Sequence, residues 1–409
     1  MINKEDIALF GYGKTTKAIA SKLGDGSIFF DDNTTQLRVD ENGNKIYPSN
    51  SFKNSNFKLE IATPSMHPNS QLIKSATNLI SEYDFFLTEY FYKGNKPLNI
   101  WISGTNGKTT TTQMMQHLLK SKGAQSGGNI GTPLADLDID APIWILETSS
   151  FTLHHTKEAS PNIYMLLPIT PDHLDWHGSK EAYISDKLKP LETMQEGELA
   201  LIPKGLKLPT SSAWIVEYEG VEDLTKKFKI DTSNIKFKGA FLLDALFALI
   251  AKKVLFEQTD YNSINNFSVD SHRQEEIKDS KGRLWINDSK ATNIDATIQV
   301  LNLYKDKKIH LILGGDDKGV DLTELFDYLK DINVTIYAIG SNAQKLESLA
   351  KLYKIEVFKL NTLINATKEI ESKHTTESIA ILAPAASSLD QFKSYAQRGD
   401  EFKNFIYNI

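Results

Sequence analysis

Leu98-Asn99-Ile100-Trp101-Ile102-Ser103-Gly104-Thr105-Asn106-Gly107-Lys108-Thr109-Thr110 decides the fold of this chain. The apolar residues 98–102 have the character of a buried strand, and they run into a turn with two glycines. Met114, Met115, Leu118 and Leu119 then recur at helical spacing until Gly123 stops the pattern. Strand, glycine-bearing turn and helix in that order let backbone N–H groups point at phosphate oxygens. Lys108 would neutralise charge on the outer phosphates, and the Thr109 hydroxyl would sit on Mg²⁺. The full phosphate-loop pattern has a further glycine five residues before Gly107, where this chain carries Ile102. A chance Gly-Lys-Thr in a loop is the bland alternative, and the flanking strand and helix weigh against it.

The same unit recurs on both sides of this stretch. Residues 7–10 form an apolar run, Gly11-Tyr12-Gly13-Lys14-Thr15-Thr16 a turn and 18–23 a helical pattern. A second strand over 27–30 ends at Asp31-Asp32. After the phosphate-loop unit come strand candidates at 143–146, 163–167, 199–202 and 214–216, and an apolar helix over 241–256. The sequence turns polar around 262–270, and strands are then expected at 284–286, 309–313, 335–339, 356–360 and 379–382. Such alternation reads as α/β with mostly parallel sheets and flanking helices. Three domains are expected, over residues 1–95, 96–268 and 269–409. The first and third would be Rossmann-like, and the central one phosphate-loop-NTPase-like. A chain of 409 residues is also too long for one core.

Composition removes several function classes. There is no cysteine, which excludes disulfides, thiolate nucleophiles and Cys-ligated metals. The formal charge of −6 argues against a general nucleic-acid binder. The charged N-terminus has no signal-peptide core, and no apolar run is long enough to span a bilayer. A cytoplasmic monomer acting on small molecules is the expectation. Trp101, Trp144 and Trp285 lie in or beside strands and read as core, and His154 and His155 as structural or surface residues.

Two further positions in the central block carry chemistry. Glu147 ends an apolar run in Glu147-Thr148-Ser149-Ser150, and His173 follows another strand in Asp172-His173-Leu174-Asp175. Parallel α/β sheets place ligands at the carboxyl ends of their strands, so both could face the phosphate loop. Oxygen ligands with one imidazole suit Mg²⁺ or Mn²⁺ better than zinc.

Together, the runs 104–110, 147–150 and 172–173 resemble the Mur ligase superfamily, which includes folylpolyglutamate synthases. The resemblance spans the chain in matching order. It implies a reaction in which ATP and a substrate carboxylate form an acyl phosphate, which an amine then attacks. It also implies roles for Gly104, Thr105, Asn106, Gly107, Lys108, Thr109 and Thr110 on ATP, with Arg273 and Asp288 on the same nucleotide. Asn287-Asp288-Ser289-Lys290-Ala291-Thr292-Asn293, Gly314-Gly315-Asp316-Asp317-Lys318 and Ser387-Ser388-Leu389-Asp390-Gln391-Phe392 look like the branch that adds D-glutamate to UDP-N-acetylmuramoyl-L-alanine. Lys318, Ser388 and Tyr395 would then hold the glutamate, with Lys290 and Thr292 close by. A dianionic amino acid needs such cations and donors.

By the same resemblance Lys187, in Tyr183-Ile184-Ser185-Asp186-Lys187, would be carbamylated by CO₂ and help His173 hold a second Mg²⁺. Thr109, Glu147, His173 and the modified Lys187 make up the implied metal set. Lys14 and Thr15 would meet the diphosphate of the UDP-sugar, Asp31 and Asp32 its uridine, and Asn129 and Ser149 the rest of that substrate. Several positions depart from the family pattern: Thr16 for a third glycine, Thr152 for a glutamine, Ala240-Phe241 for His-Asn beside the adenine, Asp244 for an asparagine and Tyr395 for Phe.

Overall fold

The computed structural model describes residues 3–91 and 96–409. It forms two compact units, Met1–Phe267 and Ser268–Ile409. The boundary expected at residue 95 falls at residues 92–95, which lie outside the described residues.

Three six-stranded sheets are present among the described residues. The first contains β1 (Ile7–Phe10), β2 (Ile28–Asp31), β3 (Arg38–Val39), β4 (Lys45–Pro48), β5 (Leu59–Ala62) and β6 (Leu79–Ile80), in the order β3-β4-β2-β1-β5-β6. The second contains β7 (Leu98–Ser103), β8 (Ala124–Gly128), β9 (Ile143–Glu147), β10 (Ile163–Leu166), β11 (Leu199–Pro203) and β12 (Trp214–Tyr218), in the order β12-β11-β10-β7-β9-β8. All its pairings are parallel. The third, in the second unit, contains β13 (Glu275–Lys278), β14 (Leu284–Asn287), β15 (Lys308–Gly314), β16 (Val334–Ile339), β17 (Glu356–Asn361) and β18 (Ser378–Leu382), in the order β13-β14-β18-β15-β16-β17. Only the pairs β3/β4 and β13/β14 are antiparallel among the strands described.

The central strands are apolar on both faces because helices cover both sides of a parallel sheet. All of Ile7–Phe10, Ile143–Glu147 and Ser378–Leu382 are buried. Trp101, Trp144 and Trp285 are fully buried, as expected from their place in strands. The helix Ala240–Phe256 is buried without interruption from Asp244 to Lys252. It packs along the helix Lys108–Leu119, which explains its nearly all-apolar composition.

The first two sheets share one core. A single cluster contains Ile7, Leu9, Phe86, Trp101, Trp144 and Leu166. The helix Glu82–Leu87 makes the join: all six of its residues are buried, and the Tyr83 ring meets the Trp101 ring edge-on at 4.9 Å. Ser81 and Asp84 close its N-terminus as a reciprocal capping box. The Asp84 carboxylate also accepts from the backbone N–H groups of Lys157, Glu158 and Ala159.

Glu82 on this helix is buried, and its Oε1 accepts from the Leu134 N–H at 2.7 Å. Burial pushes its carboxyl up to about 8, against the opposing pull of the Leu134 and Ala135 N–H groups. The native protein therefore holds a proton at Glu82 that the unfolded chain releases near about pH 4.3. Its contribution is full below that pH and is lost as pH rises toward the folded value. Glu82→Gln should flatten the decline in stability between about pH 5 and about pH 9, read by urea unfolding of both proteins across that range. An unchanged slope would place Glu82 in a wetter environment than this.

Candidate active site

Parallel register gathers the carboxyl ends of β7, β8, β9 and β10 on one edge of the second sheet. Ile102 pairs with Glu147, Gly128 with Glu147, and Leu166 with Ser103. The turn 104–107, the loop at Asn129, Glu147 and the segment 167–173 therefore emerge side by side. Gly104 has φ +143, and a Cβ there would lie 2.5 Å from Leu167 Cβ. Gly107 has φ +82 in the left-handed region, and a Cβ would lie 2.7 Å from Asp244 Oδ1. Neither position accepts a side chain. The helix Lys108–Leu119 starts directly after Gly107, so Lys108, Thr109 and Thr110 form its first turn.

Lys108 Nζ donates to the carbonyls of Gly104 (2.9 Å) and Thr105 (2.7 Å). Lys187 Nζ donates to the same Gly104 carbonyl (2.9 Å) and to Ser103 Oγ (3.2 Å). Lys187 lies in the helix Lys180–Leu188, which Ser179 caps by accepting from the Ala182 N–H. It is 1% exposed. Burial holds its amine well below the usual lysine range, and the neighbouring Lys108 charge lowers it further, against Asp172 and Asp186. Tyr183 lies beneath it, with the Lys187 ammonium 4.8 Å from the ring centre and its hydroxyl 3.0 Å from Thr105 Oγ1.

Glu147 is 2% exposed. Its Oε1 accepts from Asn129 Nδ2 at 2.7 Å, while Oε2 is buried with no hydrogen-bond partner. A carboxylate oxygen in that state fits a bound cation. No three His, Asp or Glu side chains cluster as a metal centre among the described residues. Mg²⁺ typically uses one or two carboxylates and takes the rest of its shell from water and phosphate. His173 is exposed at the N-cap of the short helix Leu174–His177, in the left-handed conformation (φ 52°), with its ring 4.8 Å from that of Phe151. Ser149 caps the helix Ser150–His155, and its hydroxyl also meets Thr152 Oγ1 at 2.9 Å.

On the first sheet, the turn after β1 is tied to the end of β2. The Tyr12 N–H donates to Asp31 Oδ2 at 2.7 Å and the Asn33 N–H to Asp31 Oδ1 at 2.9 Å. Asp31 thus stitches the two loops, while Asp32 is exposed. Thr16 donates to the Gly11 carbonyl at 2.6 Å, so a hydroxyl holds the turn where a third glycine would pack. Lys14 opens the helix Lys14–Leu23 with Thr15 next to it, and its ammonium donates to the Gly131 carbonyl.

The third sheet repeats the arrangement. Asn287 pairs with Leu382 and Leu382 with Ile312, so the runs after β14, β15 and β18 emerge together. Backbone bonds knit them: Asp316 and Ser387 exchange N–H···O contacts of 3.0 and 2.9 Å, and the Ala385 N–H reaches the Ala291 carbonyl at 3.0 Å. Lys290 Nζ stands 4.1 Å over the Tyr395 ring. Thr292 and Lys318 are exposed, Lys318 with φ 50°, and Ser388 is buried. Burial raises the Asp288 carboxyl to about 7, against a Gln274 backbone hydrogen bond and the Arg273 charge.

Sequence reasoning missed Arg398, which is 1% exposed at the centre of this loop cluster. It donates to Ser289 Oγ (3.0 Å), the Ser289 carbonyl (2.9 Å) and the Ala386 carbonyl. Burial lowers its guanidinium to about 10. Nothing in the Gln397-Arg398-Gly399 sequence tells which way this side chain faces; the fold turns its guanidinium inward. Ser103, His177 and Asp186 were missed as well, and His154 accompanies them as a partner of Asp186.

Comparison with known proteins agrees with this layout. Residues 102–237 match the Mur ligase middle domain, and residues 272–385 match the Mur ligase glutamate ligase domain. A UDP-N-acetylmuramoylalanine--D-glutamate ligase of Campylobacter jejuni (strain 81-176) is 49% identical over 406 residues, covering 98% of this chain and 100% of that protein. The enzyme of the same name from Helicobacter pylori (strain HPAG1) is 43% identical over 418 residues, covering 98% and 99%. Among solved structures, MurF ligase from Thermotoga maritima in complex with ADP superposes with a TM-score of 0.58 at 15% identity, covering 94% of each chain, and so speaks to the fold. This chain belongs to the Mur ligase family, the ATP-dependent ligases of peptidoglycan precursor synthesis.

Proposed function

We propose that this chain uses ATP to join D-glutamate to UDP-N-acetylmuramoyl-L-alanine. The observation that carries the reading is the buried Glu147 carboxylate, with Oε2 unpartnered, at the strand end beside the 104–110 turn. The two full-length relatives named above support the choice of substrates.

The turn residues Gly104, Asn106 and Gly107 with Thr109 and Thr110 would receive the phosphates, as N–H donors at a helix start, while Thr105, whose N–H donates to the Pro168 carbonyl at 3.2 Å, would hold the shape of that turn. Lys108, which closes the turn through neutral carbonyls, would exchange them for a phosphate anion, a stronger charge-assisted partner. Mg²⁺, held by Glu147 and Thr109 with His173 and a carbamylated Lys187 at a second position, would supply charge neutralisation on the phosphates. Lys187 suits carbamylation because only a neutral amine has the lone pair to attack CO₂, losing a proton as the carbamate forms, and its burial and the Lys108 charge favour that neutral form.

Lys14, Thr15, Asp32, Asn129 and Ser149 would orient the UDP-sugar, Asp31 acting through the loops it stitches. Lys318, Ser388, Tyr395, Lys290 and Thr292 would hold the glutamate, and Arg273 and Asp288 would serve the nucleotide. Attack of the alanyl carboxylate on the γ-phosphorus gives an acyl phosphate and ADP. The glutamate amine then attacks the acyl carbon, loses a proton and expels phosphate. Positioning and electrostatics would provide most of the acceleration.

Phosphate release should require ATP, Mg²⁺, the UDP-muramoyl-alanine and an amino acid together, with D-glutamate preferred across an amino-acid panel. Equal release with L-alanine or a diamino acid would contradict the substrate choice. Lys187→Ala should lose most activity and regain part of it with a short added carboxylate. Full activity without rescue would remove Lys187 from the mechanism.

A further inference from the structure

Ser150, His177 and Asp186 come from three separate helices and form one hydrogen-bonded chain. His177 Nε2 lies 3.0 Å from Ser150 Oγ, and His177 Nδ1 lies 2.8 Å from Asp186 Oδ2. A carboxylate only accepts, so Nδ1 carries a proton. In a neutral ring Nε2 then accepts from the Ser150 hydroxyl, and burial favours that neutral ring. A second imidazole, His154, binds the same carboxylate through Nδ1, at 3.0 Å from each oxygen. Lys189 Nζ fixes His154 in turn by donating to its carbonyl at 2.6 Å. The His177 side chain has no exposed surface. Phe151 stacks on it at 5.7 Å and 10°, and Tyr183 meets it edge-on at 5.2 Å.

The geometry has the order of a hydrolase triad, yet Ser150 cannot be a nucleophile here. It is 3% exposed and begins the helix Ser150–His155, so no substrate carbonyl reaches its oxygen. The chain therefore acts through what it holds. Ser150 follows Glu147 by three residues at the end of β9. His177 closes the short helix that His173 caps, and its N–H donates to the His173 carbonyl at 3.1 Å. Asp186 immediately precedes Lys187, on the same helical turn. Each member is thus anchored beside one of the three side chains read above as gathering around the phosphates.

We propose that Ser150, His177 and Asp186 are positioning residues that fix the spacing of Glu147, His173 and Lys187. The proposal rests on the roles given to those three under Proposed function. The three helices pack on one another, and this hydrogen-bonded chain sets the register of that packing; a misplacement of about 1 Å can cost on the order of 100-fold in rate. Partners behind metal ligands typically account for about 10- to 100-fold in activity.

The test uses the full chain with Ser150→Ala, Ser150→Thr, Asp186→Asn and Lys187→Ala. Its readouts are kcat, KM for ATP, the thermal unfolding midpoint, and the ¹³C carbamate signal of Lys187 in ¹³C-bicarbonate. Ser150→Ala and Asp186→Asn should lose about 10- to 100-fold in kcat with KM for ATP within about twofold, and with a weakened carbamate signal. Ser150→Thr, which keeps the hydroxyl, should restore most of the rate. Wild-type turnover and carbamate signal in Ser150→Ala and Asp186→Asn, alongside an inactive Lys187→Ala, would overturn the proposal. So would a lowered midpoint with unchanged kcat per folded molecule. If Asp186→Asn does not fold, Ser150→Ala decides alone. A fully active Lys187→Ala would instead sink the underlying reading of Lys187, so the two failures are distinguishable.

Discussion

The end of β7 has to turn against the end of β10 with no room for a Cβ at Gly104, and again against Asp244 at Gly107. Two left-handed glycines in four residues let the backbone make that turn and start a helix at once. The Gly104 carbonyl is left where Lys108 and Lys187 both donate to it. Two amines on one neutral oxygen, one of them fully buried, cannot both stay charged cheaply. Burial and the Lys108 charge push Lys187 toward its neutral form, at a backbone carbonyl 83 residues away in the sequence.

Electrostatic tension is distributed in pairs across the two units. In the first, an unpartnered carboxylate oxygen of Glu147 stands at the same sheet edge as a cationic lysine and a helix N-terminus. In the second, Arg398 is buried among neutral acceptors beneath the runs 288–293 and 383–388, and Asp288 is held near neutrality by burial. Uncompensated buried charge is costly, and its concentration at strand ends marks where anions and cations from outside are expected. Hydrophobic strands provide the rigidity, and the turn after β7 is bonded to the end of β10 through Leu167 N–H to the Ser103 carbonyl at 2.8 Å and Thr105 N–H to the Pro168 carbonyl at 3.2 Å.

Strands with dense apolar runs were legible in sequence. β7, β9, β15 and β18 fall within a residue or so of their expected limits because burial on both faces demands continuous hydrophobicity. β8, Ala124–Gly128, carries Ala-Gln-Ser-Gly-Gly and gave no such signal, and β13 reads Glu-Glu-Ile-Lys because it is an edge. β3 and β6 are two-residue edge strands with as little signal, while the interior β4 and β5 are four-residue runs broken by Lys45 and Glu60. Among site residues, Gly104, Lys108 and Glu147 could be read from local pattern. Ser103, His177, Asp186 and Arg398 could not, since their meaning lies in partners 9 to 109 positions distant, which only the fold supplies. His154, expected as a structural or surface residue, binds Asp186 and keeps 34% of its side chain exposed.

The most direct measurement of the central claim is a crystal structure with a non-hydrolysable ATP analogue and Mg²⁺. The phosphates should lie in the amide cradle of residues 104–109, with Lys108 swung from the Gly104 carbonyl onto phosphate oxygen and a cation on Glu147 Oε2. Phosphates bound elsewhere, with Lys108 still on its own loop and no cation at Glu147, would contradict it.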